Sequence, residues 1–288
     1  MSEDIVSRIE RQISSMTNAQ RKVADFILHS TLEAAFSTID QIAHATNVST
    51  ASVIRLANVL GYSTFSDFQK SLKEYLHTHA APINKFSINT MDVFPNDTGN
   101  DPIVDVYKNE LENINATMQG LNHESIEAIA HKLNDAKNIY VCGARTSEST
   151  ARYLAYNFNR MFLNTRYVDD SPSELLNLLK HITQDDALIA ITLSRYNKHV
   201  CHVAKICKEK DVPVIAITDS YDAPLVPLST YQLISPCKSN AFHNSIASQI
   251  FLCDILIKVS SHIGKKRVRE NLEKDEKILA QMQYFMRK

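Results

Sequence analysis

The stretch TIDQIAHATNVSTASVIRLANVLG, residues 38–61, holds two short helical patterns separated by a tight connection. In the first pattern, Ile39, Ile42 and Ala43 recur at helical spacing, which places them on one buried face. Asn47-Val48-Ser49 forms the connection. The apolar residues expected in the core face of the second helix are Val53, Ile54, Ala57 and Leu60. This arrangement is typical of a helix-turn-helix, and equally of a plain helical hairpin in a bundle.

The second helix also carries a polar face, and we expect Ser49 or Thr50 to cap its beginning. A recognition helix presents its N-terminal residues to base edges, and short hydroxyl side chains there also bond phosphates. The candidate DNA-binding residues are Ser49, Thr50, Ser52, Arg55 and Asn58. Charge does not favour this interpretation, because residues 1–76 hold seven Lys and Arg against eight Asp and Glu, whereas DNA-binding domains usually have a basic face.

The chain has 288 residues, enough for about two domains. Residues 1–76 contain no proline and show helical periodicity throughout, with a capping box predicted at Thr17 and Gln20. Residues 77–100 contain two prolines and little periodicity, which is typical of a linker. We therefore expect an all-α domain at 1–76, a linker at 77–100 and a second domain at 101–288.

Beyond the linker, short β-rich runs alternate with helical patterns. The runs are Asn138–Gly143, Arg166–Val168, Ala187–Thr192, Val212–Thr218 and Tyr231–Ser235. Alternation of this kind predicts an α/β domain, a parallel sheet covered by helices on both faces. Ligands of such sheets bind outside the carboxyl ends of the strands. The loops of interest are therefore 143–149, 193–198 and 219–224.

Composition argues against several classes of protein. Lys and Arg number 31 against 32 Asp and Glu, and the net charge of -1 gives no sign of a polyanion partner. The five cysteines form no CxxC pair, and the five glycines form neither GxGxxG nor GxxxxGK. No apolar run approaches the roughly 20 residues of a membrane span, and no secretory signal pattern is visible at the N-terminus. We expect no metal, no cofactor and no membrane partner, and a cytoplasmic location.

Two motifs resemble one bacterial family in order and spacing. They are MTNAQRKVADFILHS at 16–30 and IAHATNVSTASVIRLANVLGYSTFSDFQKSL at 42–72. The chain is identified as similar to RpiR/MurR-type transcription regulators. The resemblance implies a winged-type helical DNA-binding domain whose reading helix is about Thr50–Leu60, followed by a sugar isomerase (SIS) domain.

The second half is similar to SIS domains over about residues 101–260, but its loops depart from the SIS pattern. Arg145 and Arg195 stand where those loops usually have glycine, and Asn197 stands where a hydroxyl is usual. The resemblance implies an effector site that holds an anion through hydroxyls and loop amides at a helix N-terminus. The candidate effector-binding residues are Gly143, Arg145, Ser147, Thr192, Ser194 and Arg195. Alternatively, the two arginines are surface or subunit-contact residues.

The resemblance favours a DNA-binding transcriptional regulator that responds to a small anionic metabolite, a sugar phosphate or a sugar acid. We expect a homodimer or homotetramer on operator DNA, and no catalysis. One alternative is a SIS-type isomerase or lyase with a helical appendage, for which Glu148 and His243 would be acid–base candidates. Another is a regulator whose SIS domain only oligomerises.

Overall fold

The structure is a computed structural model that describes residues 4–79 and 101–285. The chain divides into two compact units, residues 1–102 with 240–243 and residues 103–239 with 244–288. Within residues 4–79, the helices of the first unit are α1 (Ile5–Gln12), α2 (Asn18–His29), α3 (Thr31–Phe36), α4 (Ile39–Thr46), α5 (Thr50–Val59) and α6 (Phe65–His79). A single 3₁₀ turn, Ile13–Ser15, follows α1.

Local capping explains where these helices begin. Thr17 and Gln20 form the predicted capping box at the start of α2, and Thr38 forms another with Gln41 at the start of α4. Each capping box satisfies backbone N–H groups that a helix start otherwise leaves unpaired. Between α4 and α5, Asn47 adopts a left-handed conformation with φ 51°, which a short polar residue tolerates better than most.

One apolar core joins the six helices described in this unit. In α5 the buried residues are Val53, Leu56 and Ala57, followed by Leu60 just after the helix. The prediction that Ile54 lies in the core is wrong, because its side chain is 41% exposed and Leu56 takes the buried position. The reason is the helical period: positions 53, 56, 57 and 60 share one face, and position 54 lies at its edge.

The second unit is a five-stranded, all-parallel sheet with strand order β2-β1-β3-β4-β5. Its strands are β1 (Ile139–Gly143), β2 (Thr165–Val168), β3 (Ala187–Ile191), β4 (Val214–Thr218) and β5 (Tyr231–Ile234). Its helices are α7 (Pro102–Gly120), α8 (His123–Asp135), α9 (Thr146–Phe162), α10 (Pro172–His181), α11 (Lys198–Glu209), α12 (Ala247–Ile263) and α13 (Lys265–Gln281).

Helices cover both faces of this sheet. Every residue of β1, β3 and β4 is buried, as expected for strands with helices on both sides. Alternate residues of the central strands enter two cores, one shared with α8, α9, α12 and α13, the other with α10 and α11. The predicted fold class, a helical domain followed by a covered parallel sheet, is confirmed.

Candidate DNA-reading helix and effector site

The five candidate DNA-binding residues lie on the solvent side of α5 or at its beginning. Ser49, Thr50, Arg55 and Asn58 are exposed, and Ser52 is half-buried. Ser49 occupies the N-cap position without capping a backbone N–H, since its hydroxyl contacts the Ser52 hydroxyl at 3.0 Å. The face thus presents hydroxyl, guanidinium and amide groups, which are the side chains that contact phosphates and base edges.

Arg8, which the sequence pattern did not single out, supports the end of this helix. Its Nη1 donates to the Leu60 carbonyl oxygen at 2.7 Å, and its guanidinium lies 5.3 Å from the centre of the Tyr62 ring. Gly61 follows with φ 88°, a conformation that favours glycine. The C-terminal end of α5 is therefore fixed by a residue 52 positions before Leu60, and only a three-dimensional contact reveals this role.

The candidate effector residues come together where the strand order changes direction. The chain runs from β1 to β2 at one edge of the sheet. It then crosses to β3 on the other side of β1 and continues through β4 to β5 at the opposite edge. Gly143 at the end of β1 is paired with Ile191 at the end of β3. The loops that follow these two strands are therefore neighbours at the topological switch point, the usual ligand site of open parallel sheets.

Close packing explains the glycine in the first loop. A Cβ at Gly143 would lie 2.8 Å from the Ser147 carbonyl oxygen and 3.0 Å from the Ala151 Cβ. Arg145 is exposed and adopts φ 57° and ψ −123°, a conformation that L residues rarely occupy. Ser147 is buried in the first turn of α9. The arginine thus stands in a backbone position suited to glycine, which agrees with its place in the SIS pattern.

Hydrogen bonds engage most of the polar groups in the loop after β3, residues 193–198, which is the second loop of the switch point. The Thr192 hydroxyl accepts from the Asn197 N–H at 2.9 Å, and its carbonyl accepts from the Thr218 hydroxyl at 2.7 Å. The side-chain amide of Asn244 donates to the Ser194 hydroxyl oxygen at 3.2 Å. Thr192 and Ser194 are buried, while Arg195 is exposed with φ 66°. Both arginines of the switch point therefore occupy positive-φ positions.

Asn197 also begins α11, because its side-chain oxygen accepts from the N–H groups of His199 and Val200 at 2.8 and 3.1 Å. Its side-chain nitrogen donates to Asp170 at 2.9 Å. One amide thus caps the helix and joins the loop to the segment that follows β2. The resemblance to SIS domains marked this residue as a departure from the pattern but gave it no role.

A carboxylate, Asp219, lies at the end of β4 and serves the second loop as an internal acceptor. Its oxygens accept from the Ser194 N–H at 3.2 Å and the Cys237 thiol at 3.6 Å. Burial, the nearby Asp219 charge and a hydrogen bond to that carboxylate raise the pKa of Tyr196. Position 219 lies in a predicted loop, but this contact with Ser194 spans 25 residues and was not predicted.

The two arginines contribute positive charge at this edge. Within the described part of the second unit, neither the Arg145 nor the Arg195 guanidinium forms an ion pair. Glu148, by contrast, is bound to Arg152 at 2.8 Å on the same helix. The switch point therefore combines two exposed guanidinium groups with buried hydroxyls.

Neither a candidate metal-binding cluster nor a candidate membrane span occurs in residues 4–79 and 101–285. This part of the chain holds no cluster of three or more His, Cys, Asp and Glu side chains placed to bind a metal ion. Nor does any of the helices described above have the length and apolar character needed to cross a membrane.

Comparison with known proteins agrees with this geometry. Residues 3–79 match the family model described as a helix-turn-helix domain of the rpiR family, and residues 132–259 match the SIS domain. The chain therefore carries an rpiR-family helix-turn-helix domain followed by a SIS domain, the two domains that the sequence motifs predicted, and its relatives are HTH-type transcriptional regulators.

The similarity to known proteins extends over nearly the whole chain. An HTH-type transcriptional regulator of Clostridium perfringens is 25% identical and covers 94% of this chain and 95% of its own length. The regulator HexR of Escherichia coli is 22% identical, covering 98% and 96%. The solved structure of Vibrio vulnificus NanR, complexed with ManNAc-6P, has a TM-score of 0.59 at 23% identity, covering 97% of this chain and 99% of NanR.

Proposed function

We propose that this regulator binds an inverted-repeat operator through α5 and that its SIS domain binds a small anionic metabolite. In this proposal residues 1–76 read DNA, residues 77–100 link the domains, and residues 101–288 bind the effector and associate with a second copy. The observation that carries the proposal is the pair of exposed arginines at the switch point, Arg145 and Arg195, which form no ion pair within the described part of their unit. As a regulator of transcription, the protein would act in the cytoplasm.

A sugar phosphate is the preferred effector, and a sugar acid the second choice. NanR, which shares the fold, was solved with a sugar phosphate, and this favours phosphate. A guanidinium forms bidentate hydrogen bonds with phosphate and with carboxylate, so the arginines do not distinguish a sugar phosphate from a sugar acid. Buried Ser147, Thr192 and Ser194 would add hydroxyl contacts beside the charge.

The DNA part of the proposal is tested by mobility shifts on fragments from the protein's own genomic locus. A specific regulator should shift one fragment at far lower protein concentration than the others, because base contacts add to the sequence-independent phosphate term. Equal, weak binding to every fragment would contradict the proposal.

The effector part is tested by thermal unfolding with a panel of sugar phosphates, sugar acids and neutral sugars. A ligand at 100 times its Kd adds about 2.7 kcal/mol to the free energy of unfolding. The shift should shrink in Arg145→Ala and Arg195→Ala and persist in Arg269→Ala, an exposed arginine of α13. A neutral sugar as the sole hit, or a full shift in the double variant Arg145→Ala/Arg195→Ala, would show that the site is misplaced.

We also propose that the protein has no isomerase activity. The relatives reported above are transcriptional regulators, and the carboxylate of Glu148 is engaged by Arg152 instead of being left free as a general base. Incubation with aldose, ketose and amino-sugar phosphates should leave each compound unchanged by NMR. Turnover that is abolished in Glu148→Gln or His243→Ala would support an enzyme instead.

A further inference from the structure

The face that α7 turns toward its own domain is polar. The buried residues of this helix are Asn109, Asn113 and Thr117. Those of the next helix, α8, are all apolar: Ile126, Ile129, Ala130 and Leu133. A surface helix normally buries its apolar stripe, as α8 does. Because α7 is held mainly by hydrogen bonds, it can shift on its domain by exchanging partners, without drawing apolar side chains out of a close-packed core.

The hydrogen bonds of α7 lead to the chain between β5 and α12. Asn113 and Lys238 form a reciprocal pair: Asn113 Nδ2 donates to the Lys238 carbonyl at 2.8 Å, and the Lys238 N–H donates to Asn113 Oδ1 at 3.1 Å. The Ser245 hydroxyl donates to Glu110 at 2.6 Å. Two stretches of that chain, one at Lys238 and one at Ser245, therefore hold α7 in place.

These two stretches, residues 235–239 and 244–246, are tied to one another, and we call them together the β5–α12 segment. The Ser245 N–H donates to the Cys237 carbonyl oxygen at 3.2 Å. Ser235, Cys237 and Ser245 are all buried. A displacement of one stretch therefore carries the other with it.

The β5–α12 segment also contacts the second loop of the switch point. Asn244 Nδ2 donates to the Ser194 carbonyl oxygen at 3.3 Å and to the Ser194 hydroxyl oxygen at 3.2 Å. The Cys237 thiol donates to Asp219 at 3.6 Å, and the same carboxylate accepts from the Ser194 N–H. The segment thus holds Ser194 directly through one side chain and indirectly through another.

Adjacent residues of the segment bond in two different directions. Asn244 bonds to the second loop, whereas Ser245 bonds to α7. In the other stretch Cys237 bonds to the carboxylate that holds the same loop, whereas Lys238 bonds to α7. A ligand that hydrogen-bonds to the Ser194 hydroxyl takes the place of the Asn244 amide. The backbone that carries the contact with α7 is then released on its other side.

α7 is the helix through which the chain enters the effector domain. It begins at Pro102, directly after the proposed linker, residues 77–100. The position of α7 on its domain therefore sets the point from which the linker departs toward the reading domain. A shift of α7 is passed on by the covalent chain itself.

We propose that the β5–α12 segment transmits occupancy of the effector site to α7 and so to the reading domain. The proposal rests on the proposed function, since it takes the effector site at the switch point as given. Asn244 and Ser245 are its positioning residues, the first toward Ser194 and the second toward Glu110. Ligand binding and operator binding then change one another's affinity by the same factor, because coupling between two sites is reciprocal.

Hydrogen exchange of the full chain, without ligand or DNA, tests the connection. Ser194→Ala removes a hydroxyl to which Asn244 donates, and the amides of α7 should exchange about tenfold faster, the factor that corresponds to one lost hydrogen bond. The matched control is Ser229→Ala, because Ser229 is also buried but donates to the Val226 carbonyl ahead of β5. Unchanged α7 exchange in Ser194→Ala, or an equal increase in both variants, would overturn the proposal.

A second pair of variants tests the connection from the other residues. Asn244→Ala removes the same contact at a half-buried position, and it keeps the test decisive if circular dichroism shows Ser194→Ala to be poorly folded. Asn113→Ala removes both bonds between α7 and Lys238, so residues 193–198 should exchange faster although they lie outside α7. Unchanged exchange of residues 193–198 in Asn113→Ala would contradict the transmission.

Inorganic phosphate, compared with chloride at equal ionic strength, probes the effect of a bound anion. In the native chain phosphate should slow exchange in residues 143–149 and 193–198 and speed exchange in α7. In Asn113→Ala both loops should still be protected while α7 no longer responds, and a response of native size there would overturn the proposal. Loops that gain no protection would count against the proposed effector site, whereas α7 exchange in Ser194→Ala still decides the transmission.

Discussion

The two candidate binding surfaces of this regulator differ in how far their functional groups take part in folding. On α5, four of the five candidate DNA-binding side chains are exposed and none lies in the core. At the switch point, Ser147, Thr192 and Ser194 are buried, and Thr192 and Ser194 are hydrogen-bonded within the domain. We conclude that changes on α5 should affect binding alone, whereas changes at the switch point should affect stability and binding together.

The largest effect on stability is expected at Gly143. In Gly143→Ala the added methyl would meet the Ser147 carbonyl at 2.8 Å, so α9 must shift away from β1. Overpacking of this kind costs about 1–3 kcal/mol of unfolding free energy, measurable by urea denaturation. Gly120→Ala is the control, because nothing lies within 4 Å of the position that its added methyl would take. Equal stability of the two variants would show that the glycine is needed for the ligand and not for packing.

On the DNA side, Arg55→Ala should lower operator affinity by about 1–3 kcal/mol if the guanidinium contacts a base edge. Its unfolding free energy should stay within about 0.5 kcal/mol of the native value, as for most exposed positions. Fluorescence anisotropy with labelled operator measures the first quantity and urea denaturation the second. Lys70→Ala, an exposed cation on α6, should change the affinity less. A loss of stability in Arg55→Ala would remove the contrast between the two surfaces.

Loss of the helix cap in Asn197→Ala should cost about 1 kcal/mol of stability, because two N–H groups of α11 lose their acceptor. Asn122→Ala removes a similar cap from α8, where the side chain accepts from the Ser125 N–H at 2.9 Å. Both variants should unfold at lower urea concentration, but Asn197→Ala alone should also reduce the thermal shift given by the effector. The same reduction in Asn122→Ala would mean that the thermal shift follows the overall stability of the domain and not the loop that Asn197 holds.

The smallest expected effect is a gain. Arg195 has φ 66°, and Arg195→Gly relieves backbone strain while adding freedom to the unfolded chain, so the net stabilisation should not exceed about 1 kcal/mol. Leu163→Gly, at φ 57° and away from the switch point, should show a similar change. Only Arg195→Gly should weaken binding of the anionic ligand. Undiminished ligand binding in that variant would assign Arg195 to the surface and not to the site.

Local signals in the sequence predicted much of this architecture. Capping at Thr17, the order of strands and helices, and the loops after β1 and β3 all follow from patterns within a few residues, and the structure agrees with them. The same kind of reasoning placed Ile54 in the core, because a short apolar run does not specify which edge of a helix is buried. Asp219 beside Ser194 and Arg8 at the end of α5 depend on contacts over 25 and 52 residues, which periodicity does not encode.

The contact between Asp219 and Ser194 has a consequence for sensitivity. The loop amide that an incoming anion would use is already held by a tethered carboxylate at 3.2 Å, so any ligand that needs this N–H competes with an anion that cannot diffuse away. The apparent Kd of such a ligand then equals its intrinsic Kd divided by the fraction of molecules in which the carboxylate has released the loop. On this basis Asp219 would set the metabolite concentration at which the regulator responds, and Asp219→Ala should lower that concentration in a binding titration; an unchanged or higher value would show that the ligand does not use this amide.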